Sequence, residues 1–432
     1  MGGRRLGQLL LLACLSGPAL ADETSRAKDA EAAALQLADL PAAASEPRRD
    51  WLLAVEAGLG AATERAGGRD LNTNTERLSL DLQLDRALGA GWRGAFSNQL
   101  DLRWQGGFGE RSAINTLREA YLSWQPQPDR ALDLGRINAR HGVALGYNPS
   151  DYFRSGAVRS IVAIDPASLK KNRQGSVMLR GQTLWADGSL SALASPKLTE
   201  QAASDADFSL NAGATNCSNR WLLLLSQRLA EGINPQWLLF GEEGQSPQLG
   251  FNLTGLLGQA TVAYVEWSGG RSASQLAQAL AAQGAANDQA FRSRYAGGLT
   301  YTSADKLSLT LEYNFNGGGM SQAVWRALPH VSAAAYVQYR RWVQDRFDMP
   351  TRHVLFAYAS WQDALAQPNL DFNAMLRHNL DDHSRLGWVE ARYHWPETDL
   401  ALQYQRNQGG PGSEFGALPQ ARLLQVLLRR LF

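Results

Sequence analysis

Cysteine is nearly absent. The 432-residue chain holds two, Cys14 and Cys217. Cys14 lies in a segment read below as a removable leader, so one thiol remains and no internal disulfide braces the fold. An excess of either charge is also missing. The formal net charge is +1, and it falls to −1 once Arg4 and Arg5 leave with the leader. That balance argues against bulk nucleic-acid binding. Histidine is scarce: His141, His330, His353, His378, His383 and His394 are all there is, and no two stand at the i, i+4 spacing of a helical zinc motif. His378 and His383 flank a turn and read as a solvated pair. Ser413 to Gly416 lacks the strand–Gly-x-Ser-x-Gly–helix setting of a nucleophile elbow. No catalytic, metal or cofactor constellation is left, so neither enzymatic activity nor a cofactor is expected. Long apolar runs are lacking too. Mean hydropathy is negative, and nothing after the leader looks like a transmembrane helix. An exported chain of this kind is either a soluble periplasmic domain or a β-barrel, in which only alternate residues face lipid.

The leader is read from three features. Arg4 and Arg5 form a basic start, Leu9 to Cys14 an apolar stretch, and Ala19-Leu20-Ala21 a small-x-small cleavage site. Residues 1–21 are therefore expected to be a signal peptide, with Asp22 the mature N-terminus. Leu11-Leu12-Ala13-Cys14 offers an alternative, lipoprotein-type processing site. Residues 22–50 are Ala-rich and polar, with Pro41 and Pro47. They read as a periplasmic linker or short helix.

From Trp51 the pattern changes to period two and keeps that character to Phe432. Leu78, Leu80, Leu82 and Leu84 alternate with Ser79, Asp81, Gln83 and Asp85; Leu307, Leu309, Leu311 and Tyr313 alternate with Ser308, Thr310 and Glu312. Residues 389–395 and 400–405 behave alike. Each such run carries one apolar and one polar face. About eighteen strands are predicted, an even number within the bacterial barrel range. The connections after even-numbered strands are short, as at Leu88-Gly89-Ala90 and Pro396 to Asp399. Those after odd-numbered strands are mostly long, notably 140–173, 196–218, 268–292, 315–350 and 406–420. A soluble sandwich has no reason to sort loop length by parity. The 13 tryptophans often fall at predicted strand ends, where amphipathic rings form interfacial girdles at both rims. The expected fold over 51–432 is an all-β, closed transmembrane antiparallel barrel of about 18 strands in the outer membrane, with long extracellular loops and short periplasmic turns.

The last segment, Ala421 to Phe432 (ARLLQVLLRRLF), keeps Leu424, Val426, Leu428 and Phe432 on one face, with Arg430 interrupting it. A terminal Phe on such a strand resembles the assembly signal of outer-membrane proteins. Other patches are Leu134-Gly135-Arg136, Gly146-Tyr147-Asn148-Pro149-Ser150-Asp151, Asp165-Pro166, Gly175 to Gln182, Asn379, Asp382 with Ser384, and Ser413 to Gly416. From about residue 115 onward these resemble proteobacterial porin-like proteins of the alginate-export style. The resemblance implies a Gram-negative outer-membrane barrel with a transport role and names no substrate.

If leucine faces lipid, the lumen receives Arg77, Asp81, Asp85, Arg93, Asp101, Arg103, Glu119, Arg180, Glu312, Glu390 and Arg392. Most of these are expected to pair and brace the wall. Arg136 shares the parity of Leu132 and Leu134, which aims it at lipid unless Gly135 forms a bulge. Loop 140–173, with Arg140, Asp151, Arg154, Arg159, Lys170, Lys171 and Arg173, is a constriction if folded inward and a solvated surface loop if folded outward. Asp151 and Arg154 join Arg136 as constriction candidates. Residues 320–347 read as an amphipathic helical stretch, with Ala335, Tyr339, Trp342 and Phe347 along one side. The function expected is transport of a small solute or an exported polymer, against an outer-membrane hydrolase or a structural barrel with a loop-filled lumen. Expected partners are outer-membrane lipid, lipopolysaccharide and the barrel-assembly machinery, with no nucleic acid.

Overall fold

Alternation of apolar and polar side chains builds the wall directly. In the computed structural model Leu309 and Leu311 are 45% and 61% exposed on the outer face, while Thr310 and Glu312 between them are 5% and 1% exposed. The model describes residues 49–66, 69–106, 110–159, 164–200, 215–284 and 288–432. The expected signal peptide, and all of 22–50 except Arg49 and Asp50, lie outside the described residues.

Eighteen strands form one sheet. They are β1 (Trp51–Ala66), β2 (Arg69–Gly89), β3 (Trp92–Gln105), β4 (Glu110–Gln127), β5 (Arg130–Ile137) and β6 (Ser176–Trp185). Next come β7 (Gly188–Ser195), β8 (Arg220–Gln227), β9 (Gln236–Glu242), β10 (Gln248–Leu256), β11 (Thr261–Ser272) and β12 (Ala290–Thr302). The last are β13 (Leu307–Asn316), β14 (His353–Trp361), β15 (Leu370–Asn379), β16 (Arg385–His394), β17 (Thr398–Gln408) and β18 (Gln420–Leu431). Each strand pairs antiparallel with its sequence neighbours. β18 pairs with β1 from Ala54↔Leu431 to Glu64↔Gln420, which closes the barrel and removes free sheet edges. Beside Leu431, the Phe432 amide donates to the Leu53 carbonyl at 2.9 Å.

Strand positions match the sequence reading within a few residues, except at the top of the first hairpin. β2 begins at Arg69 rather than near residue 75, because Asn72, Thr73 and Asn74 keep pairing with β1. Connections within 138–175, 273–289 and 317–352 lie at one end of the barrel. Both chain-terminal strand ends, Trp51 and Leu431, lie at the other, with turns such as 90–91 and 128–129. Trp51, Trp92, Trp124, Trp185, Trp237 and Trp395 are exposed at this second rim, and Trp221 at the first. The girdle is thus dense at one rim and sparse at the other.

Among the described residues four α-helices sit in the connections: α1 (Pro166–Lys171), α2 (Gln275–Ala279), α3 (Gln322–Val331) and α4 (Ala333–Arg346). The stretch read as one helix is split, with Pro329 in the last turn of α3 and Ser332 capping α4 through the Ala335 amide at 3.2 Å. Within α4 the buried stripe is Tyr336, Tyr339 and Val343; Ala335 and Trp342 beside it are only half-buried, and Phe347 is the left-handed C-cap. Trp325 packs against that stripe and donates to Asp382 at 2.9 Å.

The lumen is packed on one side. On β8, Trp221, Leu223 and Leu225 face outward while Leu222 and Leu224 point inward, so both faces are apolar. Leu222 and Leu224 join Leu238, Phe240, Met178 and Leu193 in a core that Phe153 and Tyr152 complete from loop 138–175. The interior is therefore filled beside β5–β9.

Candidate functional site

The described parts of loop 138–175, residues 138–159 and 164–175, run inward, and two buried carboxylates hold the first of them there. Glu266 on β11 accepts from the amides of Val143 (2.9 Å), Ala144 (3.1 Å) and Ser150 (2.8 Å), from Ser150 Oγ (2.9 Å) and from Asn148 Nδ2 (3.2 Å). Glu312 on β13 accepts from the amides of Leu145 (2.9 Å), Gly146 (3.1 Å) and Tyr147 (3.0 Å), and from the Tyr264 hydroxyl (2.8 Å). The grip requires close approach. A Cβ at Gly142, whose φ is +95°, would lie 2.5 Å from the Glu266 carboxylate, and one at Gly146 would lie 2.4 Å from the Phe356 ring. Glycine at these two positions lets backbone amides reach strand side chains.

Within the loop, Arg173 donates to Asp151 at 2.6 Å, with both side chains buried. Arg154 lies over the Tyr147 ring and 4.0 Å from Asp348. The structure therefore places Asp151 and Arg154 as braces inside the loop region. Burial pushes His141 down to about 4, so it is neutral at pH 7. Arg136 is buried at the top of β5, bonded to the Gly175 carbonyl. Gly135, at φ +137°, interrupts the alternation that pointed Arg136 at lipid.

The end of the loop carries α1. Asp165 caps it by accepting from the Ser168 amide at 2.9 Å, Pro166 occupies its first turn, and Lys170 and Lys171 close it. Lys170 donates to the Ala144 carbonyl at 3.0 Å, turning back into the loop. Lys171 reaches the wall and donates to Asp81 at 3.0 Å. Burial pushes the Lys171 ammonium below its usual range, against the pull of Asp81.

Between α1 and the barrel wall lies a cavity of about 340 Å³. Asp165, Ser168, Lys171 and Asn172 line it from the α1 side, and β1–β3 with β14–β18 line it from the wall. On one flank Asp81 also binds Arg118, which is buried and donates to Ser97 at 2.8 Å. Asp101 accepts from Ser79 at 2.5 Å and from Gln99 at 3.0 Å. Arg77 pairs with Glu56 and stands opposite Arg103 in the register. Across the cavity Glu390 pairs with Arg392 at 2.8 Å, and Arg392 lies 3.7 Å from Asp399. His394 sits between Asp399 (2.8 Å) and Asp371 (3.2 Å). Arg429 also lines the cavity and has no ion pair among the described residues.

The remaining candidates are spread along the wall. Arg93 pairs with Asp85 at 2.5 Å near the short-turn rim, and Arg180 pairs with Asp133 at 2.7 Å. Glu119 follows a bulge and makes no ion pair among the described residues. The candidates thus divide between the cavity, the loop and the wall. Arg118 and Glu266 were missed. Arg118 is the extra residue where the β3–β4 register shifts after Ser97, so strict alternation aimed it outward. Glu266 carries the ordinary signal: Tyr264, Glu266 and Ser268 alternate with Val265 and Trp267, and the same pattern nominated Glu312.

No protein-family model matches the chain, and no curated protein does. Solved structures do match. Pseudomonas aeruginosa OpdQ superposes with a TM-score of 0.52 at 8% identity, over 89% of this chain and 99% of that one. Acinetobacter baumannii OccAB1 gives 0.50 at 11% identity, over 89% and 97%. P. aeruginosa OccK2 (OpdF), in complex with glucuronate, gives 0.50 at 12% identity, over 89% and 98%. At such identities the likeness speaks for the barrel fold.

Proposed function

We propose that the chain is an outer-membrane diffusion channel for a small polar solute, with α1 and the β14–β18/β1–β3 wall forming its selective passage. The observation that carries this reading is the inward loop. Glu266 and Glu312 hold it across the lumen, and the space left beside α1 is about 340 Å³. That volume falls within the roughly 300–1,000 Å³ of small-molecule sites. Its lining sets Glu56, Asp81, Asp165, Glu390 and Asp399 against Lys171, Arg392 and Arg429. Such a lining favours polar solutes over apolar ones, and its excess of acid is small because Arg118 also pairs with Asp81. One structural neighbour, P. aeruginosa OccK2 (OpdF), is in complex with glucuronate. A sugar acid is therefore the first solute to try, with Lys171 and Arg429 as its facing cations. An exported polymer and the alginate-export style find little room in a passage this narrow.

Proteoliposome swelling tests the proposal. Vesicles carrying the purified barrel should swell in glucuronate and in a neutral monosaccharide, and should not swell in an oligosaccharide of several sugar units. Absence of swelling with every monosaccharide-sized solute would remove the channel reading.

A further inference from the structure

The outer wall carries a feature that the passage does not use. A groove of about 670 Å³ runs obliquely across the face of β12–β17. Its floor is made of small residues, Ala357, Ala359, Ala374 and Gly387, and its sides are Leu311, Leu376, Val389 and Tyr404. Registers set its course. Leu311 lies opposite Ala357, Ala357 opposite Leu376, Leu376 opposite Gly387, and Gly387 opposite Arg406. The row climbs from the middle of the wall to the long-loop rim and ends at a cation.

That cation has company. Arg385 stands at the first residue of β16 and is a diagonal neighbour of Arg406, since its direct partner is Gln408. Diagonal neighbours lie roughly 7–8 Å apart, a separation at which two guanidinium groups can bracket one phosphate. Arg406 also lies directly opposite Arg422 on β18. Like charges directly opposite repel. Arg385, Arg406 and Arg422 are all exposed, and none has an ion pair among the described residues. No acidic residue lines the groove. An apolar trough ending in unneutralised arginines is complementary to an acyl chain attached to an anionic head.

We infer that this groove is a specific site for a phosphorylated acyl lipid of the outer leaflet, the lipid A part of lipopolysaccharide. One acyl chain lies over Ala357, Ala374 and Gly387, and Arg385 and Arg406 hold the phosphate. The inference rests on the membrane-barrel reading above, which places the long-loop rim at the headgroup level of the outer leaflet.

The test is lipid retention by the purified full-length barrel, read by native mass spectrometry after exchange into a mild detergent. The probes are bis-phosphorylated lipid A, the same lipid with its phosphates removed, phosphatidylethanolamine and inorganic phosphate. Wild type should retain one bis-phosphorylated lipid A at least tenfold better than the dephosphorylated form or phosphatidylethanolamine. Millimolar inorganic phosphate should not displace it. The double variant Arg385→Gln/Arg406→Gln should lose at least tenfold. Gly387→Leu should lose retention as well, because a Cβ there meets nothing within 4 Å and the added side chain would occupy the trough. Heat-modifiable gel mobility certifies that each variant is a folded barrel. Equal retention of all lipids, unchanged retention by the folded variants, or full displacement by inorganic phosphate would overturn the site. A wild type that is heat-modifiable yet holds no lipid A also overturns the site and leaves the channel reading standing. A wild type that never behaves as a membrane barrel overturns both.

Discussion

Asp81 accepts from two cations that come from opposite directions, Arg118 from the β4 bulge and Lys171 from α1. Removing its charge leaves Arg118 buried with only neutral acceptors: Ser97, Gln99 and Asn172. Breaking a buried pair from one side costs roughly 3–5 kcal/mol. The three neutral acceptors should hold Asp81→Asn near the lower end, about 3 kcal/mol by urea unfolding in vesicles. The passage also gains one net positive charge, so the reversal potential in a KCl gradient should move toward anions. A variant as stable as wild type, with unchanged ion preference, would mean that the clamp contributes nothing. Asp81 was legible in the sequence because leucines flank it on both sides. Arg118 was hidden because a single bulge reverses the parity that such patterns rely on, and nothing in Thr116-Leu117-Arg118-Glu119 announces the bulge.

At the scale of elements, the strands were legible and the loops were not, for one physical reason. A strand half-buried in a wall writes its environment into alternate residues. A loop writes nothing comparable when its own backbone amides do the binding. Val143 and Glu266 are 123 residues apart, and Leu145 and Glu312 are 167 apart. From the loop alone, inward and outward were open alternatives. Its basic residues did not decide the matter, because Arg173 and Arg154 are used inside the loop region and only Lys171 reaches the cavity. The tether makes a prediction. Glu266→Gln/Glu312→Gln replaces carboxylate oxygens with amides that cannot accept the full set of backbone donors. The loop should leave the wall, and single-channel current should become noisier and rise at least twofold. Wild-type current from a correctly folded double variant would show that the carboxylates do not hold the loop.

For the whole molecule, closure is the governing constraint. Eighteen strands with a period-two pattern and matched registers close into one barrel whatever the individual side chains are. That is why about 10% identity to Occ barrels coexists with 89% coverage of this chain. What varies is how the lumen is filled. Here the apolar core beside β5–β9, completed by Phe153, leaves a cavity against the opposite wall, with α1 on its inner side. The central claim is therefore that solute and ions pass beside Lys171. It is tested by Lys171→Cys in a Cys217→Ser background, recorded in planar bilayers while a bulky thiol reagent is added, with Leu309→Cys on the outer face as the comparison. Modification at position 171 should cut the open-channel current by more than half, and modification at position 309 should leave it unchanged. Complete labelling of position 171 with no change in current would contradict the account.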